Sequence, residues 1–194
     1  MRIQSAIWLG APLMALALAL SGCTGIVSAT TSEPIQSNPA SRSLGNVIDD
    51  QWIETTAVVN IQKSHPELEH AHVVAVSYNG VLLLVGQVPN AQVRQLAAET
   101  AAQIRNVRRV HNELTIGPNS TFAARSSDSL ITTKVKARLL ANREVSARGT
   151  KVVTEMGVVY LMGLVTRGEA DIAARLAQET GGVQKVVRIF EYVD

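Results

Sequence analysis

The sequence predicts an α+β fold built twice: two tandem units, each running helix, strand, strand, helix, strand, with a small three-stranded mixed sheet and two helices. Three observations carry this. Residues 50–116 and 128–193 pass through the same succession of patterns, and an internal repeat takes precedence over any single motif. Each copy opens on an apolar stripe at spacing four, the mark of an amphipathic helix. Each then places two apolar runs around a glycine, the mark of a hairpin.

In the first copy the opening stripe is Ile53, Ala57 and Ile61; in the second it is Ile131, Val135 and Leu139. The hairpin of the first copy joins residues 73–78 to 81–88 through Asn79-Gly80, whose central residues need positive φ. Its counterpart joins 152–155 to 158–165 through Met156-Gly157, a weaker turn at the matching place. The returning strand carries Gly86 in one copy and Gly163 in the other. A glycine inside a strand marks a bulge or a close approach of backbones. A second helix follows, with Val93, Leu96, Ala97, Thr100, Ala101 and Ile104 on one face, and Ile172, Ala173, Leu176 and Ala177 in its partner. Both copies close on a β-rich run, 107–116 and 183–193. Units of this size lie near the lower limit for independent folding, so the two are expected to pack on each other.

Ahead of the repeats stands an export signal. Arg2 precedes an apolar run from Ile7 to Leu20 that is too short for an ordinary spanning helix. Leu20-Ser21-Gly22-Cys23 then resembles a lipobox, with cleavage before Cys23 and acylation of that cysteine. Several acyl chains hold a protein to its membrane where one does not, at about 0.8 kcal/mol per buried methylene. Thr24 follows the cysteine; by bacterial sorting habit a residue other than Asp there implies the outer membrane. Residues 24–48, rich in Ser, Thr, Pro, Asn and Gly with no apolar period, read as a solvated tether. If flexible, its reach is about 25 to 30 Å. The expected organisation is therefore signal 1–22, acylated cysteine and tether 23–48, first unit 49–117, linker 118–125 and second unit 126–194.

Cys23 is the one cysteine of the 194 residues, so no disulfide forms within the chain and aliphatic packing must hold it together. Residues 126–194 hold ten Lys and Arg against eight Asp and Glu, and residues 49–116 hold five against seven. The second unit is thus the better partner for a negative surface, by a margin far too small to imply nucleic acid. No His-Glu-x-x-His, Cys-x-x-Cys, phosphate-binding Gly-rich loop or nucleophile elbow is present, so the chain reads as non-enzymatic and without cofactor. All four histidines, His65, His70, His72 and His111, lie in the first unit. His70 and His72 with Glu67 and Glu69 could frame a metal site, but residues 66–72 read as a polar loop and no metal is expected.

The order αββαβ, the hairpin glycine, the Gly-x-Val strand end and Gly182-Val183 before the last strand together resemble the BON domain, over nearly all of the folded chain. Leu130-Ile131-Thr132-Thr133-Lys134-Val135 and residues 159–166, together with Arg42-Ser43-Leu44-Gly45 and Asp49-Asp50, resemble the dual-BON outer-membrane lipoprotein family more narrowly. The first copy departs from the pattern with Asn106-Val107 in place of Gly-Val. The resemblance implies a periplasm-facing lipoprotein that binds anionic phospholipids such as phosphatidylglycerol and cardiolipin through the first helix of its second domain, supports envelope integrity and gathers at division sites. In that family a tryptophan on this helix inserts into lipid; here the position is Leu130. That leaves an apolar tip without the interfacial anchoring of an indole.

The implied contact residues are Leu130, Thr133, Lys134, Ala137, Arg138 and Ala141. Read without the resemblance, the same strip is a small apolar face with two cations, compatible with lipid contact, although an ordinary solvated helix face is the commoner outcome. A scaffold for outer-membrane assembly or division proteins is the alternative function, and it predicts that changes at Leu130, Lys134 and Arg138 are silent.

Overall fold

The computed structural model describes residues 44–146 and 149–194. The signal, Cys23 and all of the tether before Leu44 lie outside them. The first domain runs α1 (Leu44–Ser64), α2 (Pro66–Glu69), β1 (His72–Tyr78), β2 (Val81–Val88), α3 (Ala91–Ala102), β3 (Arg109–Asn112) and β4 (Thr115–Ile116). The second runs α4 (Phe122–Ala141), β5 (Thr150–Glu155), β6 (Val158–Val165), α5 (Arg167–Gln178) and β7 (Lys185–Tyr192). In each sheet a hairpin pairs antiparallel and the last strand returns parallel to the central one, giving the orders β1-β2-β3 and β5-β6-β7. Both sheets are mixed, as predicted.

Four local expectations are corrected. Helix α1 starts at Leu44, inside the stretch read as tether, because nothing between Leu44 and Asp49 stops a helix and Asn46 Nδ2 donates to Asn79 Oδ1 at 3.1 Å. Helix α4 starts at Phe122, inside the expected linker: Thr121 caps it, its Oγ1 accepting from Ala124 N at 3.2 Å. Residues 66–69 are a helical turn rather than a loop. Pro66 occupies its first position, His65 Nδ1 accepts from Glu67 N, and Leu68 is buried as its anchor. The closing run of the first domain breaks into β3 and β4, giving that sheet a fourth, two-residue strand. Both pieces pair with β2 at the same offset, Leu84↔Asn112 and Gln87↔Thr115, and the break falls where Leu114 turns into the core.

The two hairpin turns share a backbone conformation: φ is 53° and 75° at Asn79 and Gly80, and 50° and 75° at Met156 and Gly157. A methionine rarely adopts this region. Each turn is held by an aspartate from the first helix of its domain. Asp50 accepts from Asn79 N at 2.8 Å, Gly80 N at 3.0 Å and Ser77 Oγ at 2.7 Å. Asp128 accepts from Met156 N and Gly157 N, both at 2.8 Å. Asn106, where the first copy lacks the usual glycine, sits at φ 68°. Asparagine tolerates that region better than most residues, which accounts for the departure.

Helices cover one face of each sheet. Ile53, Ala57, Ile61, Leu82, Leu84, Val93 and Ala97 belong to the first helix–sheet core, and Ile131, Val135, Leu139, Val159, Leu161 and Ala173 to the second. The other faces of the sheets bury against each other, joining Tyr78, Val81, Leu83 and Val85 to Tyr160, Met162 and Ile189. The body is therefore four layers, helix, sheet, sheet, helix. Every residue of β2 is buried, because that strand is covered on both sides. Several polar groups around the contact pair there: Gln87 Nε2 donates to Glu155 Oε1 at 2.8 Å while its Oε1 accepts from Ser120 N at 2.7 Å. Lys151 Nζ donates to Glu54 and to Ser77 O, and Arg108 pairs with Glu191. Burial pushes the Tyr160 hydroxyl up to about 12, with the carboxylates of Glu113 and Glu155 acting in the same direction.

Helix α5 opens on a capping box. Thr166 Oγ1 accepts from Glu169 N, and Glu169 Oε2 accepts from Thr166 N at 2.8 Å. Hydrogen bonds from the Thr166 backbone, then the Thr166 hydroxyl and Ser146 N, hold the Glu169 carboxyl below its ordinary 4.5, against the opposing effect of burial. A carboxyl depressed by folding contributes stability that is present above its unfolded pKa and lost as pH falls through the folded one. Glu169→Gln is therefore expected to cost about 0.5–2 kcal/mol at neutral pH, a gap that closes below pH 4.5. Urea unfolding of both proteins across that range checks it; a gap that persists at low pH would contradict the assignment.

Candidate functional site

Helix α4 has two faces. Asp128, Ile131, Val135 and Leu139 are buried against the second sheet. The outer face carries Leu130, Thr133, Lys134, Ala137 and Ala141, all exposed, so five of the six residues picked out from the sequence share an accessible surface. Leu130 is 63% exposed. The sixth, Arg138, is partly withdrawn: its guanidinium donates to Glu179 Oε2 at 3.0 Å and contacts Thr180 Oγ1 at 3.4 Å, so its charge is shared with the C-terminal cap of α5.

The structure adds residues that the sequence reading missed. Phe122, 79% exposed, and Leu140, 69% exposed, lie on the same helix. They are 18 residues apart, about five full turns, and so fall on one side with Leu130 and Ala137 between them, over a length of about 27 Å. Phe122 was hidden inside the expected linker. Leu140 was legible from its spacing, but a leucine beside the core residue Leu139 does not declare which way it faces. The exposed charges of α4 are Arg125, Lys134 and Lys136, all cationic. Lys134 flanks the apolar stripe on one side, and Arg125 and Lys136 on the other.

A cleft of about 300 Å³ opens beside Leu130 and Lys134, its far wall made by Met156, Gly157, Gly182 and Gln184. The first domain has a cleft of similar volume at the equivalent place, lined by Asp49, Ile53, Asn79, Gly80, Asn106 and Arg108. The histidines take separate tasks. His65 caps α2, His70 ends it, His72 Nε2 lies 3.5 Å from Glu155 Oε2 across the domain contact, and His111 sits in β3. Burial, reinforced by Arg109, holds the His111 pKa below its ordinary value. Among the described residues no three His, Cys, Asp or Glu side chains converge as a metal site, and no helix is long and apolar enough to cross a membrane.

The BON domain family matches this chain twice, over residues 49–118 and 127–194. Outer membrane lipoprotein DolP of Haemophilus influenzae is 37% identical over 184 residues, 94% of each chain. The chain belongs to the DolP family of dual-BON proteins. The 21 kDa hemolysin of Actinobacillus pleuropneumoniae is 39% identical over 152 residues, 78% of each chain. Osmotically-inducible protein Y of Escherichia coli is 28% identical over 146 residues, 74% of this chain and 72% of that one. The two BON matches coincide with the two sheets and their helices, so α4 is the first helix of the second BON domain and α1 that of the first.

Proposed function

We propose that this BON protein is a non-enzymatic outer-membrane lipoprotein, anchored through acylated Cys23 and facing the periplasm, that binds anionic phospholipid through α4 and supports envelope integrity at division sites. The relative named an outer membrane lipoprotein, similar over 94% of each chain, supports the location. The observation that carries the lipid reading is the outer face of α4: an apolar stripe of Phe122, Leu130, Ala137 and Leu140 whose exposed flanking charges are all positive. A helix of this kind lies in the plane of a bilayer surface, its apolar side among the acyl carbons and its cations at the phosphates.

Each cation near an anionic surface contributes about 1 kcal/mol, and each inserted large apolar side chain about 1.5 to 3. A free body then binds weakly, and an acyl anchor makes that contact effective by raising local concentration. Lys134→Glu removes one attraction and adds one repulsion, so about 2 kcal/mol, or roughly thirtyfold in affinity, should go. Flotation of the soluble body, residues 41–194, with vesicles checks this. Binding is expected to be stronger with phosphatidylglycerol or cardiolipin than with phosphatidylcholine alone, and that gain is expected to be lost in Leu130→Glu and in the Lys134→Glu, Arg138→Glu pair. Undiminished binding by those variants, or none by the wild type, would direct the search to a protein partner for these domains.

A further inference from the structure

Three exposed large apolar residues of the first domain also share one helix face, apart from Val47 on the same helix and Ile116 in β4. Ile48, 69% exposed, Trp52, 50% exposed, and Val59 lie on the outer face of α1, with exposed Thr55 between the last two. Their spacing of four and seven keeps them on one side. With the repeats aligned on Asp50 and Asp128, the two turn-holding aspartates, Trp52 takes the place in the first domain that Leu130 takes in the second. The settings differ. Among the exposed residues of α1 the only charges are Asp49 and Lys63, toward its two ends, whereas those of α4 are three cations. The two helices also belong to opposite outer layers of the body, since the sheets meet between them. A flat bilayer can meet one of these faces at a time.

We propose that the outer face of α1 is a second membrane-docking surface, one that enters the interfacial zone of a bilayer without requiring anionic lipid, and that lipid composition selects which face lies down. The occupant is the bilayer because of where the anchored chain arrives. Residues 24–43 separate Cys23 from Leu44, a span of at most about 70 Å even fully extended, and they deliver the chain into the first turn of this helix, next to Ile48. An indole flanked by aliphatic side chains suits the headgroup boundary, and a face without net charge has nothing to select anionic from zwitterionic lipid. The proposal rests on the acyl anchor at Cys23 put forward above and is independent of the lipid contact of α4.

The chain holds a native reporter. Of its two tryptophans, Trp8 lies in the signal, so in the processed chain, residues 23–194, Trp52 is alone. The acylated chain, its modification verified by mass, is placed in phosphatidylcholine vesicles with and without lipids brominated on the acyl chains. Relative to the unacylated chain in buffer, Trp52 emission is expected to shift to shorter wavelength and to be quenched by the brominated lipid. Ile48→Asp should remove both effects while leaving the far-ultraviolet circular dichroism unchanged, and added phosphatidylglycerol should reduce the quenching as α4 takes the surface. Emission that stays at its buffer position in phosphatidylcholine overturns the proposal. So does a shift that grows with protein concentration in the absence of lipid, which would assign the face to a second copy of the chain. Moving the reporter by Trp52→Phe with Leu130→Trp separates the two readings: quenching there that never depends on anionic lipid sinks the α4 contact alone.

Discussion

Gly86→Ala is expected to unfold the first BON domain, and Gly163→Ala the second. Each glycine sits in the central strand of its sheet, where the neighbouring backbone comes very close. A Cβ at Gly86 would stand 1.9 Å from the carbonyl oxygen of His72 and 2.9 Å from its carbonyl carbon. At Gly163 it would stand 2.2 Å from the carbonyl oxygen of Gly149. These are backbone atoms, so no rotamer change relieves the clash. Gly86 adds a φ of +122°, which L side chains rarely adopt. Relief would require parting β1 from β2 near the Val73↔Gly86 pair, and β2 is covered on both faces, so the movement would disturb the helix–sheet core and the domain contact together. A loss above about 4 kcal/mol is expected, against a total of roughly 5–15 for an ordinary domain. Urea unfolding and soluble yield read it out. Gly168→Ala is the control: it lies in the first turns of α5 with nothing within 4 Å of its added Cβ, and should be neutral or stabilising by up to about 1 kcal/mol. A Gly86→Ala protein as stable as the wild type would mean that the strands can separate cheaply at that point.

Asp50→Ala and Asp128→Ala are each expected to lose about 3 kcal/mol, or roughly 10 °C in Tm, the next largest effect. Each carboxylate is buried and receives two backbone N–H groups of a hairpin turn, with the Ser77 hydroxyl as a third donor at Asp50. Hydrogen bonds to a charged acceptor contribute about 1.5–3 kcal/mol each, and truncation also leaves the donors at the turn unpaired. Asparagine is not a rescue, because its amide nitrogen would face one of the same N–H groups. Met156 sharpens the case in the second domain, since a non-glycine residue is held there at φ 50° by a turn whose amides end on Asp128. Asp49→Ala, at an exposed neighbour of Asp50, should stay within about 0.5 kcal/mol of the wild type. Thermal melts of the four proteins compare these directly, and an Asp50→Ala melt no lower than that of Asp49→Ala would remove the turn-holding role.

The legible part of the fold is that written in local patterns. Ile53, Ala57 and Ile61 repeat at the helical period and are all buried; Asn79-Gly80 makes the tight turn that its residue types demand; Gly86 and Gly163 mark close backbone approaches. The illegible part depends on partners far along the chain. Helix α1 reaches back to Leu44, and its Asn46 donates to Asn79, 33 positions away. Arg138 looks like a free surface cation until Glu179, 41 positions away, is seen to share its charge. Phe122 and Leu140 join the outer stripe of α4 only once the helix is known to start at Thr121's cap and to turn Leu139 inward.

By itself the sequence determined the duplicated αββαβ pattern, the hairpins, the inner faces of the helices and the cationic bias of the second repeat. Each of these depends on side-chain periodicity or turn chemistry within a few residues, where neighbours along the chain are also neighbours in space. Tertiary structure alone decided that the sheets meet back to back and that two aspartates hold the turns. It also decided that α1 and α4 turn their exposed apolar faces to opposite outer layers. A strand's alternation allows either one or two buried faces, and a helix stripe does not say what its far side meets. Burial of the second face is a property of the packed pair of domains, so it appears only when the layers come together.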